Sequence, residues 1–149
     1  MTRSPKDVVR AAVAAYNAKE LESLLDLYRP DARYWDPLRQ DGVAGRKAIG
    51  KAVAAMFAAV PDEQLAVETL AGDERYAVAE LRSTGTLAAT GVPFELELTE
   101  VYEVVGGQIA SCRAYYDPRQ LLRENLAAVA AHLTRDTPVP GTDAKGRTA

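Results

Sequence analysis

In the stretch "PFELELTEVYEV", one glutamate stands where a folded chain cannot leave a charge without compensation. Phe94, Leu96, Leu98, Tyr102 and Val104 alternate with Glu95, Glu97, Thr99 and Glu103, the period-2 pattern of a strand with one buried face. Glu100 falls in the apolar set, between Leu98 and Tyr102, so its carboxyl is predicted to point into the hydrophobic interior. An ionised carboxylate left unpaired there costs on the order of several kcal/mol. Three outcomes follow: the register slips at a bulge and Glu100 is solvated, the group forms a buried ion pair with Arg82 or Arg113, or it stays protonated and offers its proton to a ligand.

A second candidate lies in "YWDP". Alternation along "DARYWD" places Ala32, Tyr34 and Asp36 on one face and Arg33 and Trp35 on the other, and Pro37 forbids a helical conformation at Asp36. Asp before Pro is ordinary turn chemistry, so locally Asp36 reads as a turn residue. A carboxylate facing Glu100 across a cavity is the alternative, one acid paired with one base. The last strand-like run, 108–116, puts Ala110, Cys112, Ala114 and Tyr116 in one register, small residues that leave room beside an aromatic wall. Packing alone also explains small residues there. Glu68, in "LAVETL", is either an exposed strand residue or a third pocket acid. Glu80 and Arg82 alternate with Ala79 and Leu81 and are expected on the opposite face as a surface pair.

These groups need a scaffold. The chain has 149 residues, 48% of them hydrophobic, enough for one domain with a full core. The formal charge is −3 with Lys and Arg scattered among acids, so no basic stripe for nucleic acid exists. Cys112 is the only cysteine and His132 the only histidine, which removes an internal disulfide and disfavours zinc or a Ser-His-Asp triad. "MTRSPKDVVR" has no apolar leader, and "AVAAMFAAV" is too short to span a bilayer, so a cytoplasmic protein without a membrane partner is expected.

Ser4-Pro5 with Asp7 opens a helix over about 5–17, whose apolar face carries Val9, Ala12, Val13 and Tyr16. Leu21, Leu24, Leu25 and Tyr28 continue at helical spacing until Pro30, giving a short second helix, and a third follows Gly45 and ends at Pro61. Runs at 64–71, 75–87, 92–105 and 108–116, separated by "GDER", "ATG" and "GG", form a meander of long strands. Asp117-Pro118 starts a terminal helix with Leu122, Leu126, Val129 and Leu133, and residues 134–149 are a polar, Pro- and Gly-rich tail expected to be disordered. Helices first and strands afterwards give an α+β domain, residues 1–133, with helices covering one face of a curved sheet.

Taken together, "VAAYNAKELESLLDLYRPDARYWDP", "GVAGRKAIGKAVAAMF" and "FELELTEVYEVVGGQIASCRAYYDPRQLL" resemble the nuclear transport factor 2-like superfamily, and within it the ketosteroid isomerase-like and SnoaL-like polyketide cyclase branch. The resemblance covers about residues 7–124. It implies a cone-shaped α+β fold, three N-terminal helices packed on a strongly curved, mainly antiparallel sheet with an extra C-terminal helix, and a homodimer. It further implies that Asp36 matches the general base of ketosteroid isomerases and Glu100 the protonated acid of their oxyanion hole, with no cofactor. The helix 1 tyrosine of that group is replaced by Ala12; Tyr16, one turn on, either substitutes for it or packs in the core. Compared with limonene epoxide hydrolases, Arg82 matches the arginine, but Thr84 and Ala114 stand at the acid positions. Polyether epoxide hydrolases of the isomerase-like branch use several pocket carboxylates, a part open to Asp36, Glu68 and Glu100.

The expectation is therefore a cofactor-independent acid–base enzyme, of isomerase or cyclase type, on a small hydrophobic carbonyl or polyketide-like substrate. Asp36 and Glu100 are catalytic, and Tyr16, Trp35, Glu68, Leu98, Tyr102, Cys112, Ala114 and Tyr116 bind substrate. An epoxide hydrolase or cyclase, and a non-catalytic ligand-binding dimer, are the alternatives. The last of these predicts Glu100 locked in an ion pair or a pocket filled by side chains.

Overall fold

The computed structural model describes residues 2–120. Its first helix, α1 (Pro5–Asn17), begins as the sequence requires: the Ser4 hydroxyl accepts the Asp7 amide, and Pro5 occupies the first turn, where its missing N–H is not needed. α2 (Leu21–Leu25), β1 (Tyr28–Asp36), β2 (Arg39–Ala44) and α3 (Arg46–Ala59) follow, and then β3 (Gln64–Gly72), β4 (Tyr76–Thr86), β5 (Pro93–Val105) and β6 (Gln108–Tyr115). The six strands make one mixed sheet in the order β2-β1-β6-β5-β4-β3. All neighbours are antiparallel except β1 and β6, which run parallel.

Two differences from the sequence reading concern β1 and β2. The second helix stops at Leu25, and Tyr28 begins a strand instead of ending a helix. Pro30 is tolerated inside that strand because the β1–β6 ladder shifts register between Tyr28 and Arg33, where no amide is demanded of it. β2 carries no long apolar run and pairs only at the sheet edge, so its pattern was not visible in the sequence. Within β2 the chain needs Gly42, at φ +78, because a Cβ there would sit 2.5 Å from the Trp35 indole nitrogen.

α1 and α3 lie in the concavity. Val8, Val9, Ala12 and Val13 of α1 pack with Leu81, Tyr102, Val104, Ile109 and Cys112 of the sheet into the main core. The end of α1 is tied to the start of β3. The Asn17 side-chain amide donates to the Leu65 carbonyl (2.9 Å) and accepts the Leu65 amide (2.8 Å), acting as a strand partner for the first turn of that edge strand. Among the described residues no helix is long and apolar enough to cross a membrane. The expected terminal helix, apart from its first residues, and the tail lie outside the described residues.

Candidate active site

Register alone places the two acids. β6 runs between β1 and β5: Tyr34 pairs with Cys112, which pairs with Tyr102, and Glu100 pairs with Ala114. Asp36, one residue past the Trp35–Arg113 pair, comes level with Ala114. The concave face therefore carries two parallel rows, Tyr34–Cys112–Tyr102 and Asp36–Ala114–Glu100. With neighbouring strands about 4.8 Å apart, the backbones bearing Asp36 and Glu100 stand roughly 10 Å from each other across a floor of small residues. The β5–β6 register shift falls beyond Glu100, between Glu103 and Val104, so no bulge rotates Glu100 outward. That same shift lets Ile109 take the inward place expected of Ala110, with Ile109 wholly buried.

Above this floor lies a cavity of about 360 Å³, within the range of small-molecule sites. Its wall is mainly apolar, with Val53 and Met56 of α3 facing Leu96 and Leu98 of β5, and Asp36, Glu63, Glu100 and Arg39 are its charged members. Among the described residues Glu100 has no cation partner, and its one hydrogen bond comes from the Tyr102 hydroxyl. Burial raises its pKa, the Tyr102 hydrogen bond opposes that rise, and the charge of Glu63 adds to it. Arg82 and Arg113, the ion-pair partners considered from the sequence, both lie on the outer face. Arg82 binds Glu68 and Glu95 there (2.7 Å each), and Arg113 stacks on Trp35 at 5.0 Å.

Asp36 is 6% exposed and held from both sides. Its Oδ1 accepts the Leu38 amide (2.8 Å) in an Asx turn, and its Oδ2 accepts Arg39 Nη1 (2.6 Å). The turn reading and the cavity reading are thus both true of the same residue. Each carboxylate oxygen keeps a further lone pair for a proton.

Glu63 went unrecognised in the sequence. It is 5% exposed, lines the cavity, and accepts hydrogen bonds from Tyr16 (2.6 Å) and from Ser83 (2.6 Å), itself only 2% exposed. It sits in the turn "PDEQ" ahead of β3, where no alternation exists to assign a face. The one available signal was Ser83, a small polar residue in the inward register of β4 beside Leu81. Glu63 is also fixed from the turn after α1, since Lys19 Nζ donates to its backbone carbonyl at 2.5 Å while lying over the Tyr16 and Phe57 rings. Its amide closes a turn onto Val60 (3.1 Å).

Of the remaining predicted residues, Tyr16, Leu98, Tyr102 and Tyr116 line the cavity, with Tyr34 and Tyr28 beside them. Burial raises the Tyr16 phenol, with Glu63 adding to it, and pushes Tyr116 up to about 12, aided by Asp36. Cys112 and Ala114, expected to bind substrate, are not among the lining residues; they are buried beneath the cavity between its two banks and give it width. Two assignments need correction. Trp35 faces the other side of the sheet, between the guanidinium groups of Arg33 and Arg113, because it alternates with the inward Tyr34 and Asp36. Glu68 also faces outward: it falls at the β3–β4 register shift between Val67 and Thr69 and pairs with Arg82 on the exposed surface. Tyr16 does not take the place of the absent tyrosine donor either, because its proton is given to Glu63.

Comparison with known proteins places this geometry in a lineage. No curated protein matches the chain. Among solved structures, IdmH from Streptomyces antibioticus, a proposed polyketide cyclase, is similar at 22% identity, covering 83% of this chain and 99% of that one, with a TM-score of 0.72. A protein of ketosteroid isomerase-like fold from Catenulispora acidiphila, in complex with trimethylamine, is similar at 20% identity over 82% of this chain and 93% of that one (TM-score 0.73). An LEH-like epoxide hydrolase from M. tuberculosis is similar at 15% identity over 87% of this chain and 95% of that one (TM-score 0.69). At such identities these are likenesses of fold. The description of the SnoaL-like domain matches residues 9–112, spanning β1, the floor strand β6 as far as Cys112, and both cavity glutamates, and the chain belongs to that family.

Proposed function

We propose that the chain is a cofactor-independent acid–base enzyme, of isomerase or cyclase type, acting on a small hydrophobic carbonyl or polyketide-like substrate inside the cavity. The observation that carries this reading is Glu100: a carboxyl in an apolar cavity, raised in pKa by burial, with no cation among the described residues to hold its charge. A carboxyl so placed is shifted toward its protonated form, the form that donates a proton. Across the floor stands Asp36, a carboxylate beside Arg39. Two carboxyls in one cavity with environments this different divide naturally into acid and base.

In the reaction, Asp36 removes a proton from the carbon next to the substrate carbonyl. The C–H electron pair becomes the carbon–carbon double bond of the enolate, and the carbonyl pair moves onto oxygen, which accepts a hydrogen bond from protonated Glu100. Return of the proton to a different carbon gives isomerisation; attack of the enolate carbon on a second carbonyl gives cyclisation. An open cavity and an unpaired Glu100 also speak against a purely structural module, which needs neither.

The test follows deuterium loss from the α-position of a hydrophobic β-diketone. Asp36→Asn and Glu100→Gln are each expected to slow enzyme-dependent exchange about 10²–10⁴-fold. Full exchange in both variants would falsify this mechanism.

Epoxide opening is a second reading, favoured by Glu63. A third carboxyl in the same cavity, clamped by Tyr16 and Ser83, is suited to taking a proton from the water that attacks the epoxide carbon, while protonated Glu100 gives its proton to the epoxide oxygen as the C–O bond breaks. Turnover of an epoxide in ¹⁸O-labelled water would then label the diol, and labelling absent from every epoxide offered would count against it.

A further inference from the structure

Resting on the acid–base reading above, we propose that Tyr34 donates a hydrogen bond to the substrate carbonyl oxygen beside Glu100, filling from β1 a role that α1 leaves open. α1 presents the cavity with Ala12, a methyl group, and with Tyr16, whose proton is bound to Glu63 at 2.6 Å. The Tyr102 hydroxyl donates its hydrogen bond to Glu100. Tyr34 lines the same cavity, and its hydroxyl has no hydrogen-bond partner among the described residues. A phenol O–H in an apolar cavity finds a partner when one is present, so an unused one that faces a ligand space is a donor awaiting an acceptor.

Position selects Tyr34 over the two other cavity phenols without a hydrogen-bond partner among the described residues, Tyr28 and Tyr116: Tyr116 follows the end of β6, and the charges that act on it are those of Asp36 and Arg39, not Glu100. Tyr34 and Asp36 lie on the same face of one strand, two residues apart, which is about 7 Å. Across Cys112 and Ala114 they face Tyr102 and Glu100, so base, acid and phenol border one floor. The Tyr28 backbone is set apart from Asp36 by the register shift before Arg33 and pairs with Ile109 at the start of β6, although its phenol also feels the Glu100 charge. Burial raises the Tyr34 phenol, and the neighbouring Glu100 and Asp36 raise it further, so it stays protonated. As the enolate forms, the oxygen accepts O–H hydrogen bonds from Tyr34 and Glu100; neither proton is transferred, and no other reactant is required.

A fluorescent 2-naphthol tests the assignment, because its anion is a hydrophobic oxyanion and its emission distinguishes naphthol from naphtholate. The wild-type protein should bind it as the naphtholate. Tyr34→Phe should weaken that binding about 10- to 100-fold, the range for losing a hydrogen bond to a charged group, and Tyr28→Phe by less than about threefold. The melting temperature of Tyr34→Phe should not fall, since the hydroxyl removed has no partner within the fold. Unchanged naphtholate binding by Tyr34→Phe, or a larger loss in Tyr28→Phe, overturns the role of Tyr34 and leaves the acid–base reading standing. Failure of the wild-type protein to bind naphtholate at all removes both.

Discussion

Substituting Glu100 by Gln isolates the energetic burden of the buried carboxyl, because glutamine keeps its shape and removes its ionisation. Glu100 has a raised pKa in the folded protein, with burial as the first cause, and an ordinary one in the unfolded chain. Between those two values the native state binds a proton that the unfolded state does not, so stability falls as pH rises through that interval. Below the unfolded value both states are protonated and wild type and Glu100→Gln should melt nearly together. Above the folded value the wild type must either bury a carboxylate that has no cation partner among the described residues or open the site, and the variant need do neither. The burden of an unpaired buried charge is several kcal/mol, and even about 2 kcal/mol of it corresponds to about 4–8 °C of melting temperature in a chain of this length. Melting curves of both proteins from about pH 4 to about pH 9 should therefore diverge, with Glu100→Gln the more stable toward high pH. Every other titrating group is common to the two proteins and cancels in the difference. Parallel curves throughout would refute the reasoning, since they would mean that Glu100 ionises in place without penalty.

Other outcomes follow from the same geometry. Ser83→Ala removes one of the two donors to Glu63 in a buried setting and should destabilise the fold by about 1–3 kcal/mol, measured by urea unfolding. Leu81→Ala, at a side chain 1% exposed in the main core, should lose about 2–5 kcal/mol in the same assay. Ala114→Leu should fill the floor between Asp36 and Glu100 and abolish naphthol binding in a fluorescence titration while the protein still folds. Arg82→Ala breaks exposed pairs with Glu68 and Glu95 on the outer face, so β-diketone exchange should proceed at the wild-type rate. The expected homodimer has a candidate surface on that outer face, where Val78, Val101 and Arg113 are neighbours in register with Trp35; Val78→Asp should shift the sedimentation coefficient to that of a monomer.

How far the sequence carried the site depended on whether a residue stood in a periodic run. Glu100 was legible because β5 is long, cleanly alternating, and free of bulges until after Glu103. Asp36 was half-legible: its face could be read from "DARYWD", but its ion pair with Arg39 depends on a tight turn into an edge strand with no apolar pattern. Glu63 was invisible because it precedes its strand, and its burial is set by the end of α1 and by Ser83, contacts that are distant in sequence. Glu68 and Trp35 were misassigned for opposite reasons. A bulge moved Glu68 out of the count, whereas the count for Trp35 was right and its aromatic character outweighed it. Pro30 misled the second helix boundary, since a proline that ends helices also fits a strand wherever the ladder is already interrupted.

The parallel pairing of β1 with β6 also governs when the site comes into being. β1 is made before every other strand and β6 after the other five described, yet β6 is inserted between β1 and β5 and is the floor that spaces Asp36 from Glu100. Until β6 docks, β1 has only β2 beside it, and a single two-strand hairpin is marginal in water. Closing so long a loop is a slow, late event, and a chain arrested before it has both acids but no shared cavity. Activity should then appear in refolding as one step coincident with completion of the sheet, never as a partial rate from a partly formed domain.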